Sequence, residues 1–144
     1  MLIGVYMLTS ILSASLIMLA TSASLNIDTA LPTEKPTFLH HEQAFILSYD
    51  LTDTDVKLTW DVAPGYYLYQ DTIKVNEITE DALQFTSTPV STHDEYFGTT
   101  MIVKTHAAAH FAKSALKQTT FSVSYRGCAE AGLCYPPVTV EINL

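Results

Sequence analysis

A chain of 144 residues that is 48% apolar is long enough to bury one core and too short for two ordinary domains. Its 7 basic residues stand singly against 15 acidic ones, so the formal net charge is −8 and no basic patch or basic helix face is present. The composition therefore predicts one domain, and it disfavours nucleic acid and anionic membrane surfaces as partners.

The chain begins with an apolar segment that carries no charged side chain. Residues 2–20 are mostly apolar, and the small residues Thr, Ser and Ala follow at 21–23. We expect a signal peptide at residues 1–23, an extended lead at 24–36 and the folded domain at 37–144. Because about 20 apolar residues can cross a bilayer, an uncleaved anchor is the alternative. In both cases the domain is expected outside the cytoplasm, where disulfides persist, and cleavage would leave it without a membrane span.

After the lead, short strands separated by turn residues dominate the chain. Val56, Leu58, Trp60 and Val62 alternate with polar residues, which indicates a strand with one buried face. Six further strands are predicted, at residues 44–49, 67–75, 83–85, 101–106, 121–125 and 138–144. Asp, Pro and Gly supply turns between them. Short strands at this spacing predict an all-β protein, an antiparallel β-sandwich.

The alanine-rich segment at residues 106–117, "HAAAHFAKSALK", fits this pattern poorly. Alanine is the strongest intrinsic helix former, so propensity alone favours a helix. The same residues can equally form a strand with two faces, and the sequence does not decide between them.

The only two cysteines, Cys128 and Cys134, lie in the segment "YRGCAEAGLCYPP" between the last two predicted strands. Gly127 and Gly132 give the connection freedom to fold back, so the two sulfurs can meet. A disulfide would close a loop of about seven residues, which stabilises by about 2.4 kcal/mol in the loop-entropy model. A structural staple between distant strands would stabilise more, so the position favours chemistry over bracing.

A metal site is the less favoured alternative for this pair. A closed zinc site needs two ligands besides two thiolates. The candidates are the five histidines, His40, His41, His93, His106 and His110. Of these, His106 and His110 have helical i, i+4 spacing, which helps only if their segment is a helix. The sequence therefore predicts no metal and no cofactor, and single surface or hydrogen-bonded histidines are the simpler interpretation.

The cysteine segment closely resembles that of the amino-terminal periplasmic domain of the DsbD family of thiol:disulfide interchange proteins. Two other stretches agree in the same order, "LTWDVAPGYYLYQDTI" at residues 58–73 and "HDEYFG" at 93–98. The resemblance implies an immunoglobulin-like sandwich in the periplasm that acts as a thiol:disulfide oxidoreductase. Its cysteine pair would pass electrons from a thioredoxin-like or membrane reductant to oxidised periplasmic proteins that carry thioredoxin-like domains.

The resemblance also implies a role for individual residues. Cys134 matches the sulfur that forms mixed disulfides with partners, and Cys128 matches the one that then closes the disulfide. Tyr67 and Tyr69 match the active-site tyrosines. A cap that covers the sulfurs when no partner is docked matches Asp94, Glu95, Tyr96, Phe97 and Gly98. The two cap aromatics read Tyr-Phe here instead of the family's Phe-Tyr, so the shielding ring is predicted to be Tyr96.

The charges around the cysteines suggest how reactivity would be controlled. Arg126 is the one nearby cation, and it faces the acidic Glu130 and the acids of the cap. Nothing in this set forces a strongly lowered thiol pKa. We therefore expect control by access to the sulfurs, with Gly98 and the pair Thr99-Thr100 as candidate hinges of the cap.

The family context sets the remaining expectations. In the DsbD family a multi-helix membrane segment and a thioredoxin-like domain follow this domain, whereas this sequence ends at Leu144. We therefore expect a stand-alone periplasmic module whose reductant is a separate membrane protein or thioredoxin-like protein, and a truncated gene product is the alternative. The alternative function is a structural or partner-binding β-sandwich with a static disulfide.

Overall fold

The computed structural model describes residue 35, residues 37–95 and residues 97–144. One short helix, two 3-10 turns and eleven strands make up this part of the chain. The elements in chain order are α1 (His41–Ala44), β1 (Phe45–Leu51), β2 (Asp55–Val62), β3 (Tyr66–Tyr69), the first 3-10 turn (Gln70–Thr72), β4 (Lys74–Val75), β5 (Gln84–Phe85), β6 (Val90–Asp94), β7 (Gly98–Val103), β8 (His106–Ala112), the second 3-10 turn (Lys113–Ala115), β9 (Thr120–Tyr125), β10 (Gly127–Ala129) and β11 (Val138–Asn143).

The strands form three antiparallel sheets around one core. Their orders are β1-β2-β8-β5, β10-β3-β7-β6 and β11-β9-β4. Rings from different sheets meet in the middle: Trp60 lies edge-on to Tyr125 at 5.9 Å between centroids, and Phe111 to Phe121 at 5.6 Å. The core contains side chains of all three sheets. The predicted immunoglobulin-like antiparallel β-sandwich is confirmed.

The predicted signal peptide and almost all of the predicted lead lie outside the described residues. The signal peptide and the lead therefore remain predictions. Among the residues that the structure describes, no helix combines the length and apolar character needed to cross a membrane.

The alanine-rich segment is a strand and not a helix. Residues His106–Ala112 form β8, which pairs with β2 on one side and β5 on the other. Ala107 lies directly opposite Trp60, and both are fully buried. The small alanine leaves room for the indole in the core, so packing between strands overrides the helix propensity of the segment.

Two of the predicted strands are each interrupted in the structure. The one at residues 67–75 breaks after Tyr69 into a 3-10 turn, because the chain passes from the sheet of β3 to the sheet of β4. The Thr72 hydroxyl donates to the Tyr69 carbonyl at 2.8 Å and closes this turn. The strand predicted at 101–106 covers the end of β7 and the start of β8, with Thr105 at φ +68° in the turn between them.

A candidate redox site beneath a cap loop

Cys128 and Cys134 form a disulfide, with 4.0 Å between their Cα atoms. The two sulfurs have different surroundings. Cys128 lies on β10 and is fully buried, in a small apolar cluster with Tyr69 and Ile102. Cys134 lies beyond β10 and is partly exposed. Solvent or a docked molecule therefore reaches the Cys134 side of the bond first.

The loop between the cysteines folds back through backbone hydrogen bonds. The Ala129 N–H donates to the Leu133 carbonyl at 2.7 Å, and the Gly132 N–H donates to the Ala129 carbonyl at 2.9 Å. Gly132 has φ +103°, a backbone conformation that residues other than glycine rarely adopt. The loop thus brings the cysteines together as an antiparallel bridge, and the expectation that the two sulfurs can meet is confirmed.

Gly127 is needed for a second reason, which is space. A Cβ atom there would lie 2.4 Å from Cζ of Phe45 and 2.6 Å from the Tyr67 carbonyl oxygen. The Tyr135 N–H also donates to the Gly127 carbonyl at 3.0 Å. The chain before Cys128 therefore lies directly against the core and against β3, which fixes the position of the buried sulfur.

Tyr67 and Tyr69 on β3 form the floor of the site. Cys128 pairs with Tyr67 across the two strands, and the Tyr69 hydroxyl oxygen lies 3.3 Å from the Cys128 sulfur. The two rings meet edge to face at 5.4 Å between centroids. The Tyr69 hydroxyl also donates a short hydrogen bond to the carboxylate of Asp94. The structure thus places both predicted tyrosines beside the predicted cysteines.

The Tyr69 hydroxyl is held in its neutral form. Burial is the main cause that raises the pKa of Tyr69 above its usual value, and the hydrogen bonds to Asp94 and Tyr67 add to it. At neutral pH the group next to the Cys128 sulfur is therefore an uncharged hydroxyl.

Asp94 connects this floor to the cap. One carboxylate oxygen accepts a hydrogen bond from the Tyr69 hydroxyl, and the other accepts one from the Phe97 N–H at 2.7 Å. The Phe97 ring lies tilted over the Tyr69 ring at 4.6 Å between centroids and remains 41% exposed. Glu95 is exposed in the turn. The hydrogen bond to Asp94 and the contact of the Phe97 ring thus hold the cap against Tyr69 in the floor.

The prediction that Tyr96 is the shielding ring falls on a residue outside those that the structure describes. Phe97 is the cap ring that the structure places on Tyr69. Of the predicted hinge residues, Thr99 and Thr100 lie within β7, and Gly98 begins that strand with φ +67°. A left-handed conformation is readily available to glycine, so Gly98 is the position at which the hinge prediction is retained.

The charged residues near the cysteines take different partners from those that the sequence suggested. Arg126 lies over the Phe97 ring, with its guanidinium carbon 5.2 Å from the ring centroid. Glu130, within the cysteine loop, pairs with Lys104 at 2.5 Å. Neither the Lys104–Glu130 pair nor the Tyr69–Asp94 hydrogen bond could be predicted from the sequence, because each joins residues that are distant in the chain.

The histidines do not form a ligand set with the cysteines. His106 and His110 lie on β8, where four residues span about 13 Å instead of one helical turn. Among the described residues there is no group of three or more His, Cys, Asp or Glu side chains that could hold a metal ion.

Comparison with known proteins identifies the family. Residues 35–144 match the family described as "Thiol:disulfide interchange protein DsbD, N-terminal". The DsbD of Yersinia pestis (strain Pestoides F) is 37% identical over 110 residues, which are 74% of this chain and 18% of that protein. DsbD 2 of Pseudomonas aeruginosa is 37% identical over 109 residues, again 74% of this chain and 18% of the relative.

Two solved structures support the same assignment. The reduced DsbD N-terminal domain of Neisseria meningitidis superposes with a TM-score of 0.65 at 29% identity, over 74% of this chain and 89% of that one. A complex between the DsbD N-terminal and PilB N-terminal domains of the same organism gives a TM-score of 0.60 at 31% identity, over 75% and 88% of the two chains. The chain belongs to the family of the N-terminal domain of the thiol:disulfide interchange protein DsbD.

Proposed function

We propose that this chain is a periplasmic thiol:disulfide exchange module that passes electrons from a thioredoxin-like or membrane reductant to oxidised periplasmic proteins. The observation that carries the proposal is the asymmetric disulfide, which lies beside Tyr69, the residue on which the cap loop rests. Cys128 is fully buried and Cys134 is partly exposed, and a ring that is 41% exposed lies over Tyr69 in the floor of the site. A purely structural disulfide needs neither the asymmetry nor the cap.

Exchange would proceed through two thiolate attacks. In the reduced protein, the Cys134 thiolate attacks one sulfur of a partner disulfide, which forms a mixed disulfide and releases the partner's other sulfur as a thiolate. The Cys128 thiolate then attacks the Cys134 sulfur, which closes the Cys128–Cys134 disulfide and releases the second partner thiolate. Two electrons pass to the partner, and the released thiolates take protons from solvent. A dithiol reductant restores the pair by the reverse sequence.

The burial of the two cysteine residues supports this division of roles. Cys134 is the partly exposed member, so a partner's sulfur would reach it before it could reach Cys128. Cys128 is fully buried on β10, where it can attack only a neighbour that is already bound. Tyr69 beside it is neutral, and a neutral hydroxyl stabilises a thiolate less than a cation does. Access is therefore the main control in this proposal.

The proposed partners are thioredoxin-like domains, both as reductant and as oxidised substrates. The complex of a DsbD N-terminal domain with a PilB N-terminal domain supports docking of another domain onto this fold. Because this chain spans 18% of the curated relatives, the electron donor is proposed by family context as a membrane protein or a thioredoxin-like protein. Periplasmic location is part of the same proposal, since the exchange needs oxidised protein partners.

A trapping experiment tests the proposal. The Cys128→Ser variant keeps the sulfur that attacks a partner and lacks the one that resolves the complex, so it should accumulate a covalent complex with an oxidised thioredoxin-like protein. The Cys134→Ser variant is the matched control and should trap none. Mixed disulfides are detected as thiol-sensitive bands on a non-reducing gel. Equal trapping by both variants would refute the assigned roles. No trapping, with a reduction potential below about −300 mV, would favour a static structural disulfide.

A further inference from the structure

Arg126 occupies the short link between β9 and β10, two residues before Cys128. It is the only arginine in the chain, and the other basic residues are all lysines. Its backbone is fixed on both sides, since its N–H donates to the Thr72 hydroxyl at 3.0 Å and its carbonyl accepts the Tyr69 N–H at 3.0 Å. The side chain therefore starts from a rigid position beside the redox site.

The side chain of Arg126 contacts two parts of the site at once. Its Nε donates to the Tyr135 carbonyl at 3.1 Å, and Tyr135 follows Cys134 in the chain. Its guanidinium carbon lies 5.2 Å from the centroid of the Phe97 ring, within the range of a cation–π contact. A planar guanidinium can stack on a ring while its edge donates hydrogen bonds, which a lysine ammonium cannot do in the same way.

We infer that Arg126 is a positioning residue that holds the cap closed over the disulfide and joins it to the Cys134 end of the cysteine loop. The Phe97 ring lies between two contacts, the Tyr69 ring at 4.6 Å and the guanidinium. When a partner lifts the cap, the cation–π contact breaks, and the hydrogen bond to Tyr135 keeps the guanidinium beside the loop. The inference rests on the proposed function, because positioning the cap matters only if the disulfide reacts.

Loss of the cation–π contact should change how readily a reductant reaches the disulfide. Such contacts at partly exposed sites shift an equilibrium by about two- to fivefold. When the cap closes faster than a small thiol reacts, the reduction rate of the disulfide is proportional to the open fraction. Arg126→Gln should therefore speed reduction by dithiothreitol by about two- to fivefold. Arg126→Lys keeps a cation for the ring and should lie between Arg126→Gln and the wild type.

The experiment is a double-mutant cycle with Phe97→Leu, followed by dithiothreitol reduction of the purified oxidised protein. Phe97 is 41% exposed, so its replacement should leave the fold intact, and urea unfolding verifies this for every variant. If Arg126 acts through the ring, Arg126→Gln should speed reduction in the wild type and have no effect in the Phe97→Leu background. Lys74→Gln is the matched control, because Lys74 lines the same cleft of about 300 Å³ as Phe97 and Arg126 and carries the same charge.

The outcomes separate this inference from the proposed function. An unchanged rate in Arg126→Gln, or the same acceleration in the Phe97→Leu background, would overturn the inference. An equal acceleration by Lys74→Gln would overturn it too, because net charge would then be the cause. The proposed function is judged separately, by exchange of the wild type with an oxidised thioredoxin-like protein. If the wild type exchanges with its partner and Arg126→Gln is reduced by dithiothreitol at the wild-type rate, the positioning role alone is refuted.

Discussion

Replacing Tyr69 by phenylalanine should weaken the attachment of the cap to the floor and, on the proposed function, make the disulfide more accessible. The substitution keeps the ring against Phe97 and removes the hydroxyl that donates to Asp94. A hydrogen bond to a charged group contributes about 1.5 to 3 kcal/mol. Asp94 is partly exposed, so water can replace the lost donor and the lower end of that range applies. Because 1.4 kcal/mol is a factor of ten, the open fraction of the cap should rise about tenfold.

The assay is the pseudo-first-order rate of dithiothreitol reduction of the oxidised protein at neutral pH. Tyr67→Phe is the matched control, because it removes the same atom from the neighbouring ring on the same strand. The Tyr67 hydroxyl lies 3.5 Å from the Tyr69 hydroxyl, at the limit of a hydrogen bond, so its loss should change the rate little. Equal rates for Tyr69→Phe and the wild type would refute the argument that the Asp94 hydrogen bond holds the cap closed.

Three further predictions concern stability. Gly127→Ala should destabilise the protein by at least about 1 to 3 kcal/mol in urea unfolding, because the added Cβ would lie 2.4 Å from Cζ of Phe45; a neutral result would mean that the Phe45 ring can move aside. Reduction of the disulfide should lower the free energy of unfolding by about 2.4 kcal/mol, and an unchanged midpoint would mean that the loop is equally ordered in the unfolded chain. The raised pKa of Tyr69 favours its neutral form in the folded state, so this contribution is present below the ordinary pKa of 10.0 and is lost as pH rises above it. Wild type should therefore lose stability relative to Tyr69→Phe above pH 10.0, as measured by urea unfolding across that range; parallel curves would argue against the raised pKa.

The strands that alternate regularly were predictable from sequence because one of their faces is buried. β2 is the clearest case, with Val56, Leu58 and Trp60 all fully buried. Strand β6 was missed because residues Val90–Asp94 lie at a sheet edge and contain no buried residue, so no hydrophobic period marks them. The alanines of β8 gave no reliable signal either, since their place opposite a large indole is decided by tertiary packing.

The candidate site also has one part that could be predicted from sequence and another that could not. The cysteine loop is local in sequence, and its glycines indicated that it could fold back. The Tyr69–Asp94 hydrogen bond depends on two strand registers, Tyr69 opposite Ile102 and then Asp94 opposite Gly98. A shift of one residue in either register would turn one of the two side chains away from the other. Such a contact follows from the assembled sheet and cannot be inferred from spacing along the chain.

Two hydrogen bonds that Asp94 accepts would respond differently if the cap lifts. The bond to the Phe97 N–H lies inside the cap, so it can persist while the bond to the Tyr69 hydroxyl breaks. Fixing the backbone of one residue costs about 1 to 2 kcal/mol of conformational entropy. A cap that keeps its own turn does not incur that loss for each residue every time it recloses. Reclosure is then a docking of a preformed turn, which in the proposed exchange would allow rapid return to the shielded state after each partner leaves.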